Sequence, residues 1–179
     1  FANALIEAYQ VNSKQEFADF AKDLFQYIDR DMTSEDGAFF SAEDADSEGV
    51  EGKFYVWSKE EVEKILGRKT SSVAIPFYNV TERGNFEGNN ILHITRNPET
   101  VAKEIGMNHE NFLKELQSAR KKLLEVRNQR IRPLLDDKII TSWNSLMISA
   151  MAKTGRVLED AGRIEKAAKA MQFLLEKLR

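Results

Sequence analysis

Apolar side chains recur every three or four residues at both ends of this chain, and that period restricts the fold more than any other feature. Behind Ser13-Lys-Gln-Glu16, the residues Phe17, Phe20, Ala21, Leu24, Phe25 and Ile28 fall on one side of a helix expected to run to about Asp31. Near the other end Leu158, Ala161, Ile164, Ala168, Met171, Leu174 and Leu178 form a second stripe over residues 158 to 178. Each stripe follows another helical run, one over residues 1 to 10 and one over residues 142 to 154, with a turn expected at Gly155. Asn3-Ala-Leu-Ile6 and Asn144-Ser-Leu-Met147 open the two pairs alike, so the ends read as helical hairpins of similar size. Hairpins laid side by side bury their stripes on neighbours, which suits a solenoid, a closed α/α toroid or an ordinary bundle.

The middle of the chain is punctuated by caps. Ser13 to Glu16 and Ser58 to Glu61 both have capping-box form, in which a hydroxyl and a carboxylate satisfy each other's backbone donors. The helix opened by Ser58 should stop at Gly67, with residues 71 to 79 helical again. Asn97-Pro98-Glu99 starts a helix that ends near Gly106. Asn108 then caps a long one with Phe112, Leu113, Leu116, Ala119, Leu123 and Leu124 inward, and Arg132-Pro133 lies at or past its end. One β-like interruption is expected: Gly37 to Ser41 and Lys53 to Trp57 as two short strands flanking an acidic loop, with Ile91 to Ile94 as a further brief strand.

Size and charge exclude several functions. At 179 residues, the chain can bury a substantial core in one domain. Its 26 basic and 29 acidic residues are interspersed, which argues against a nucleic-acid-binding face. The basic cluster from Arg120 to Arg132 reads as the solvated side of a helix. Without cysteine there is no disulfide, thiolate metal site or thiol nucleophile. No apolar run approaches the length of a membrane span, and a cytoplasmic location is expected. The chain lacks an initiating Met and reads as a piece of a longer protein.

Two polar constellations could carry chemistry. The first is the loop holding Glu43, Asp44, Asp46, Glu48 and Glu51, five carboxylates that need solvent, arginine, a cation or a polar ligand beside them. From Asp44 it imitates the start of an EF-hand, but the twelfth position is Tyr55 rather than Glu, so no EF-hand is expected. The neighbouring Phe54, Tyr55 and Trp57 suit a sugar or cation lining. The second is Arg130, Arg132, Asp136, Asp137 and Lys138 ahead of Trp143-Asn144. These charges read equally as an ion-pair network or as a site in which an aspartate is acid or base and the arginines anchor an anion or hydroxyls. His93 is the candidate proton-transfer histidine, while His109 beside a helix cap is expected exposed and inert.

Gly37–Trp57, Asn85–His93 (NFEGNNILH) and Arg130–Met147 (RIRPLLDDKIITSWNSLM) together resemble the long thioredoxin domain-containing proteins of the spermatogenesis-associated protein 20 and YyaL group. One departure is Ser145, where that pattern has Gly. The resemblance covers most of the chain. It implies a mostly α fold: helical hairpins of a partial α/α toroid, similar to six-hairpin glycosidases and N-acylglucosamine 2-epimerase, with a small inserted β-hairpin. Residues 1 to 179 would then be one partial domain, lacking the thioredoxin-like domain, with the remaining toroid and that domain as partners.

By analogy of fold the resemblance implies a carbohydrate-binding or sugar-active site of epimerase, isomerase or glycosidase type, needing no cofactor or metal. Asp44, Asp137 and His93 would be catalytic. Glu43, Asp46, Tyr55, Trp57, Arg130, Arg132, Asp136, Lys138, Trp143 and Asn144 would bind a sugar ligand. The alternative is a non-catalytic scaffold or binding module supporting the thioredoxin-like domain. In a site Asp44, Asp46, Asp136 and His93 face a common cavity; in a scaffold they pair off or disperse in solvent.

Overall fold

A computed structural model of the protein describes residues 1–178, and among them seven helices dominate, with four strands of two residues each. No helix is long and apolar enough to cross a membrane. The chain divides into two compact units, one of Phe1–Glu43 with Leu135–Arg179 and the other of Asp44–Leu134.

The first unit holds the two helical hairpins expected from the apolar periods. Helix α1 (Ala2–Asn12) packs on α2 (Gln15–Asp31), α6 (Thr141–Val157) packs on α7 (Ala161–Lys177), and α1 also meets α6. Ile6, Ala21, Phe25, Met151 and Ala170 are fully buried where they converge. Strands β1 (Ala42–Glu43) and β4 (Leu135–Asp136) pair antiparallel, with Ala42 opposite Asp136.

Three local expectations change in this unit. Ser13 does not begin α2; it ends α1 in the left-handed region at φ 55°, its N–H bonded to the Tyr9 carbonyl. With so short a connection, the residue has to reverse the chain and cannot also cap the next helix. Gly155 lies inside α6, because a Cβ there would stand 2.6 Å from Ile164 Cγ1 and 2.9 Å from the Asp160 carbonyl. The turn comes later, at Glu159 (φ 55°), and Asp160 caps α7 through Arg163 N–H at 3.0 Å.

The stripe on α7 is the third correction. Ala167, Ala170 and Leu174 are buried, whereas Ile164, Met171, Leu175 and Leu178 are 45%, 40%, 50% and 41% exposed. The rotation is set by charge. Arg163 makes two bonds to Asp29 of α2, at 3.0 and 2.9 Å, while its guanidinium lies over the Phe25 ring at 4.6 Å. Lys166 joins the same carboxylate at 2.7 Å, and Lys169 reaches the Glu35 carbonyl at 2.9 Å.

The second unit is built on α3 (Lys59–Phe77), α4 (Pro98–Glu104) and α5 (His109–Arg127). Helix α3 turns sharply at Gly67 (φ 71°, ψ 167°) and resumes at once, so residues 71 to 79 are helical as far as Phe77. Val62, Leu66 and Ala74 pack with Ala119, Leu123 and Trp57, while Val73 and Phe77 pack with Val101, Phe112 and Leu116. Leu113 is exposed and Leu124 half-buried, so the inward stripe of α5 is narrower than its apolar count. Ser58, Asn97 and Asn108 cap as expected, each side chain accepting a backbone N–H of the first turn. Glu61 does not complete its capping box, because its carboxylate is bonded to Arg130.

Neither aromatic arm of the acidic loop is a strand, and residues 91 to 94 are not one either. The hairpin lies within the loop itself, where β2 (Asp46–Ser47) pairs with β3 (Val50–Glu51) across Glu48 (φ 54°) and Gly49 (φ 74°). Two consecutive positive φ angles match the twist of a two-residue hairpin turn. Side chains explain the loss of the longer strands, because they occupy the backbone groups that a strand partner would use. Asn144 holds both the N–H and the C=O of Phe39, Arg130 holds the carbonyls of Phe54 and Val56, and Asn85 holds both groups of Ile91.

Candidate functional site

Arg130 follows the end of α5 and organises the aromatic segment of the second unit. Its Nη1 donates to the carbonyls of Phe54 and Val56, both at 2.9 Å, and its Nη2 donates to Glu61 Oε1 at 2.7 Å. The guanidinium lies 3.9 Å from the centre of the buried Trp57 ring. Arg127 stands 5.3 Å from the rings of both Phe54 and Tyr55, and Arg132 stands 5.4 Å from Phe54. Planar cations stacked on aromatic faces suit arginine better than lysine. The basic cluster therefore divides: Arg120, Lys121 and Lys122 are exposed on α5, whereas Arg127, Arg130 and Arg132 lie near aromatic rings.

Beside Arg130 lies a cavity of about 490 Å³ whose walls include Ser47, Glu48, Lys53, Phe54, Val56, Glu61, Asn89, Gln129 and Ile131. Its charges are matched: Glu61 with Arg130 at 2.7 Å and Glu48 with Lys53 at 2.8 Å. Ser47 Oγ donates to the Ile131 carbonyl at 2.5 Å. Asn89 and Gln129 complete the wall together with Phe54, Val56 and Ile131. With each acid paired to a base, the lining carries no unbalanced charge to attract a free ion.

Of the residues singled out from sequence as site candidates, Glu48, Phe54 and Arg130 line this cavity. Asp44, Asp46 and His93 belong to the same unit and lie outside its lining. Asp44 Oδ1 accepts from Asp46 N–H at 3.3 Å, a local turn, and both residues are exposed. Tyr55 packs edge-on to Phe54 with ring centres 4.9 Å apart. His93 sits among amides, Nε2 3.3 Å from Asn79 Nδ2 and Nδ1 3.0 Å from Asn85 Nδ2 and 3.1 Å from the Ile91 carbonyl. Among the described residues no group of three or more His, Asp or Glu side chains is placed to hold a metal ion.

The remaining candidates belong to the first unit. Glu43 accepts from Tyr27 Oη at 3.3 Å. Asp136 pairs with Lys138 at 2.8 Å, and the Lys138 ammonium holds its carboxyl below the usual aspartate range, with Ser41 adding to the effect. Within the expected network of Arg130, Arg132, Asp136, Asp137 and Lys138, the Asp136–Lys138 pair is present, while Arg130 pairs with Glu61 of its own unit. Asp137 is exposed, and Trp143 is 55% exposed. Asn144 is 1% exposed; its Oδ1 accepts from Phe39 N–H at 2.8 Å, and its Nδ2 donates to Phe39 O at 2.9 Å and Ile140 O at 3.2 Å.

Sequence reasoning passed over Asn90 and read Glu61 only as part of a helix cap, not as the partner of Arg130. Asn90 is 1% exposed and fully bonded: its Oδ1 accepts from Thr81 N–H at 2.8 Å, while its Nδ2 donates to Thr81 O at 3.0 Å and Trp57 O at 3.1 Å. The signal available was the crowding of Asn in Asn85–Asn90, because an amide side chain can imitate a peptide partner inside a polar loop.

No protein-family model matches the chain. It is similar to spermatogenesis-associated protein 20 of Homo sapiens, 32% identical over 198 aligned residues that cover 97% of this chain and 25% of that protein. The Mus musculus protein of the same name is 30% identical over 193 residues, covering 94% of this chain and 24% of that one. An uncharacterised Caenorhabditis elegans protein is 31% identical over 175 residues, covering 85% of this chain and 24% of that one. The chain spans about a quarter of the length of these relatives, and over nearly all of its own length it is homologous to spermatogenesis-associated protein 20.

Proposed function

We propose that this chain is a non-catalytic scaffold or binding section of a longer, mostly helical protein. In this reading, residues 1 to 179 form an arc of one α/α toroid domain that supports a thioredoxin-like domain elsewhere in the polypeptide. The observation that carries it is what the conspicuous polar side chains do. Arg130, Asn85, Asn90 and Asn144 are bonded to backbone groups, Asp136 to Lys138, and Asp44 to its own turn. A catalytic acid or base instead needs to point at space where a substrate can sit.

Thermal shift with monosaccharides, disaccharides and divalent cations tests the proposal. A scaffold keeps its melting temperature with all of them, and Asp137→Asn changes neither stability nor any activity of the longer protein. Turnover of a sugar that disappears in Asp44→Asn, Asp137→Asn or His93→Gln would overturn it in favour of the epimerase- or glycosidase-like chemistry. One observation favours carbohydrate binding without catalysis: the charge-balanced lining that Asn89 and Gln129 share with Glu48, Lys53, Glu61 and Arg130. A saccharide-dependent rise in melting temperature that Asn89→Ala and Gln129→Ala abolish would establish that second reading.

A further inference from the structure

Helix α7 is apolar on two sides. Ala167, Ala170 and Leu174 face the core, and Ile164, Ala168, Met171, Leu175 and Leu178 remain exposed. The exposed set advances in steps of four, three, four and three residues, the spacing of a seam that receives another helix. Its direction is fixed, because Arg163 and Lys166 tie α7 to Asp29 of α2. Along its outer margin run Glu165, Lys169, Gln172 and Glu176, all exposed; Lys169 is turned to the Glu35 carbonyl, and Gln172 Nε2 is bonded to Glu176 Oε1 at 2.7 Å.

We infer that this seam is the docking face for a second amphipathic helix from the same, longer polypeptide, with apolar residues in heptads and basic residues where it passes Glu165 and Glu176. The inference rests on the reading of the chain as a section, and it names what that section holds. Two observations select this occupant over a free copy of the chain. The relatives are about four times as long as the stretch they share with this chain, so most of their sequence lies outside it. Five half-exposed side chains offer a few hundred Å² at most, against about 800 Å² per partner in stable complexes of separate proteins. A covalently joined helix avoids the loss of translational freedom and can use so small a seam.

Leu175→Glu, Leu175→Ala and Glu176→Lys, each made in the 179-residue chain and in the longer protein, test the inference. In the 179-residue chain, sedimentation should show a monomer at tens of micromolar, and all three variants should melt with the parent. In the longer protein, Leu175→Glu should lower the melting temperature by several degrees. Leu175→Ala and Glu176→Lys should each lower it by less, and they keep the test readable if Leu175→Glu does not fold there. Two results overturn the inference: a longer protein indifferent to all three changes, or a dimer of the 179-residue chain that Leu175→Glu dissolves. None of these measurements involves a saccharide or a cation, so they succeed or fail apart from the test of the scaffold reading.

Discussion

The side-chain amide of Asn144 closes a two-point ring with the peptide of Phe39, a residue 105 positions earlier in the chain. One side chain thereby takes the place of a neighbouring strand and joins the start of α6 to the segment after α2. Asn144→Ala leaves a buried N–H and C=O without partners and should cost about 2–3 kcal/mol. Asn144→Asp should also destabilise, since a carboxylate cannot donate to the Phe39 carbonyl. Urea denaturation of the two variants measures this, and unchanged midpoints would show that water replaces the amide without loss.

Arg130→Lys looks conservative and is not. A lysine supplies one point charge where the guanidinium bonds two carbonyls and Glu61 and covers Trp57. A loss of about 1–3 kcal/mol is expected. Trp57 is buried and Trp143 is 55% exposed, so the emission component resistant to iodide should shift to the red. Emission indistinguishable from the parent would remove Arg130 from its organising role.

Gly155 and Gly162 should respond to alanine with opposite signs. A methyl group at Gly155 meets Ile164 Cγ1 and the Asp160 backbone, so Gly155→Ala should destabilise by about 1–3 kcal/mol despite its better helix propensity. At Gly162 the nearest atom is Asp160 Oδ1 at 3.4 Å, and Gly162→Ala should stabilise α7 by up to about 1 kcal/mol. Melting temperatures of the pair decide; two shifts of the same sign would refute the packing argument.

The carboxyl of Glu115 is held below its ordinary value of 4.5 by the Lys69 ammonium and then by the Thr70 hydroxyl, 2.9 Å from Oε2. A carboxyl with a depressed folded value adds stability above its unfolded value and loses it as the pH falls through the folded one. Glu115 therefore contributes fully at neutral pH and progressively less below 4.5. Glu115→Gln should lower stability at pH 7 and make the acid side of the pH–stability curve shallower. Parallel curves for parent and variant would contradict the pairing.

The helices were legible where a period or a cap fixed them. Ser58, Asn97 and Asn108 each place a side-chain acceptor at a helix start, and the structure keeps all three. Ser13 failed because the same residue type also ends helices when the connection is short. The rotation of α7 was not legible, since Arg163 and Lys166 find Asp29 across more than 130 positions of sequence. The candidate site was the least legible part. Carboxylates were conspicuous by their density, and of the five in the loop Glu48 does wall the cavity beside Arg130, but so do Asn89 and Gln129, which no spacing rule marks.

The asparagine clamps imply that irregular segments need not behave as loose ones. Backbone protons of Phe39, Thr81 and Ile91 lie outside every helix and strand, yet each is donated to an asparagine carbonyl oxygen at 2.8 Å. In deuterium-exchange measurements Phe39 and Thr81 should therefore behave like helix interiors, while Glu82 and Arg83, in the same connection, label within seconds.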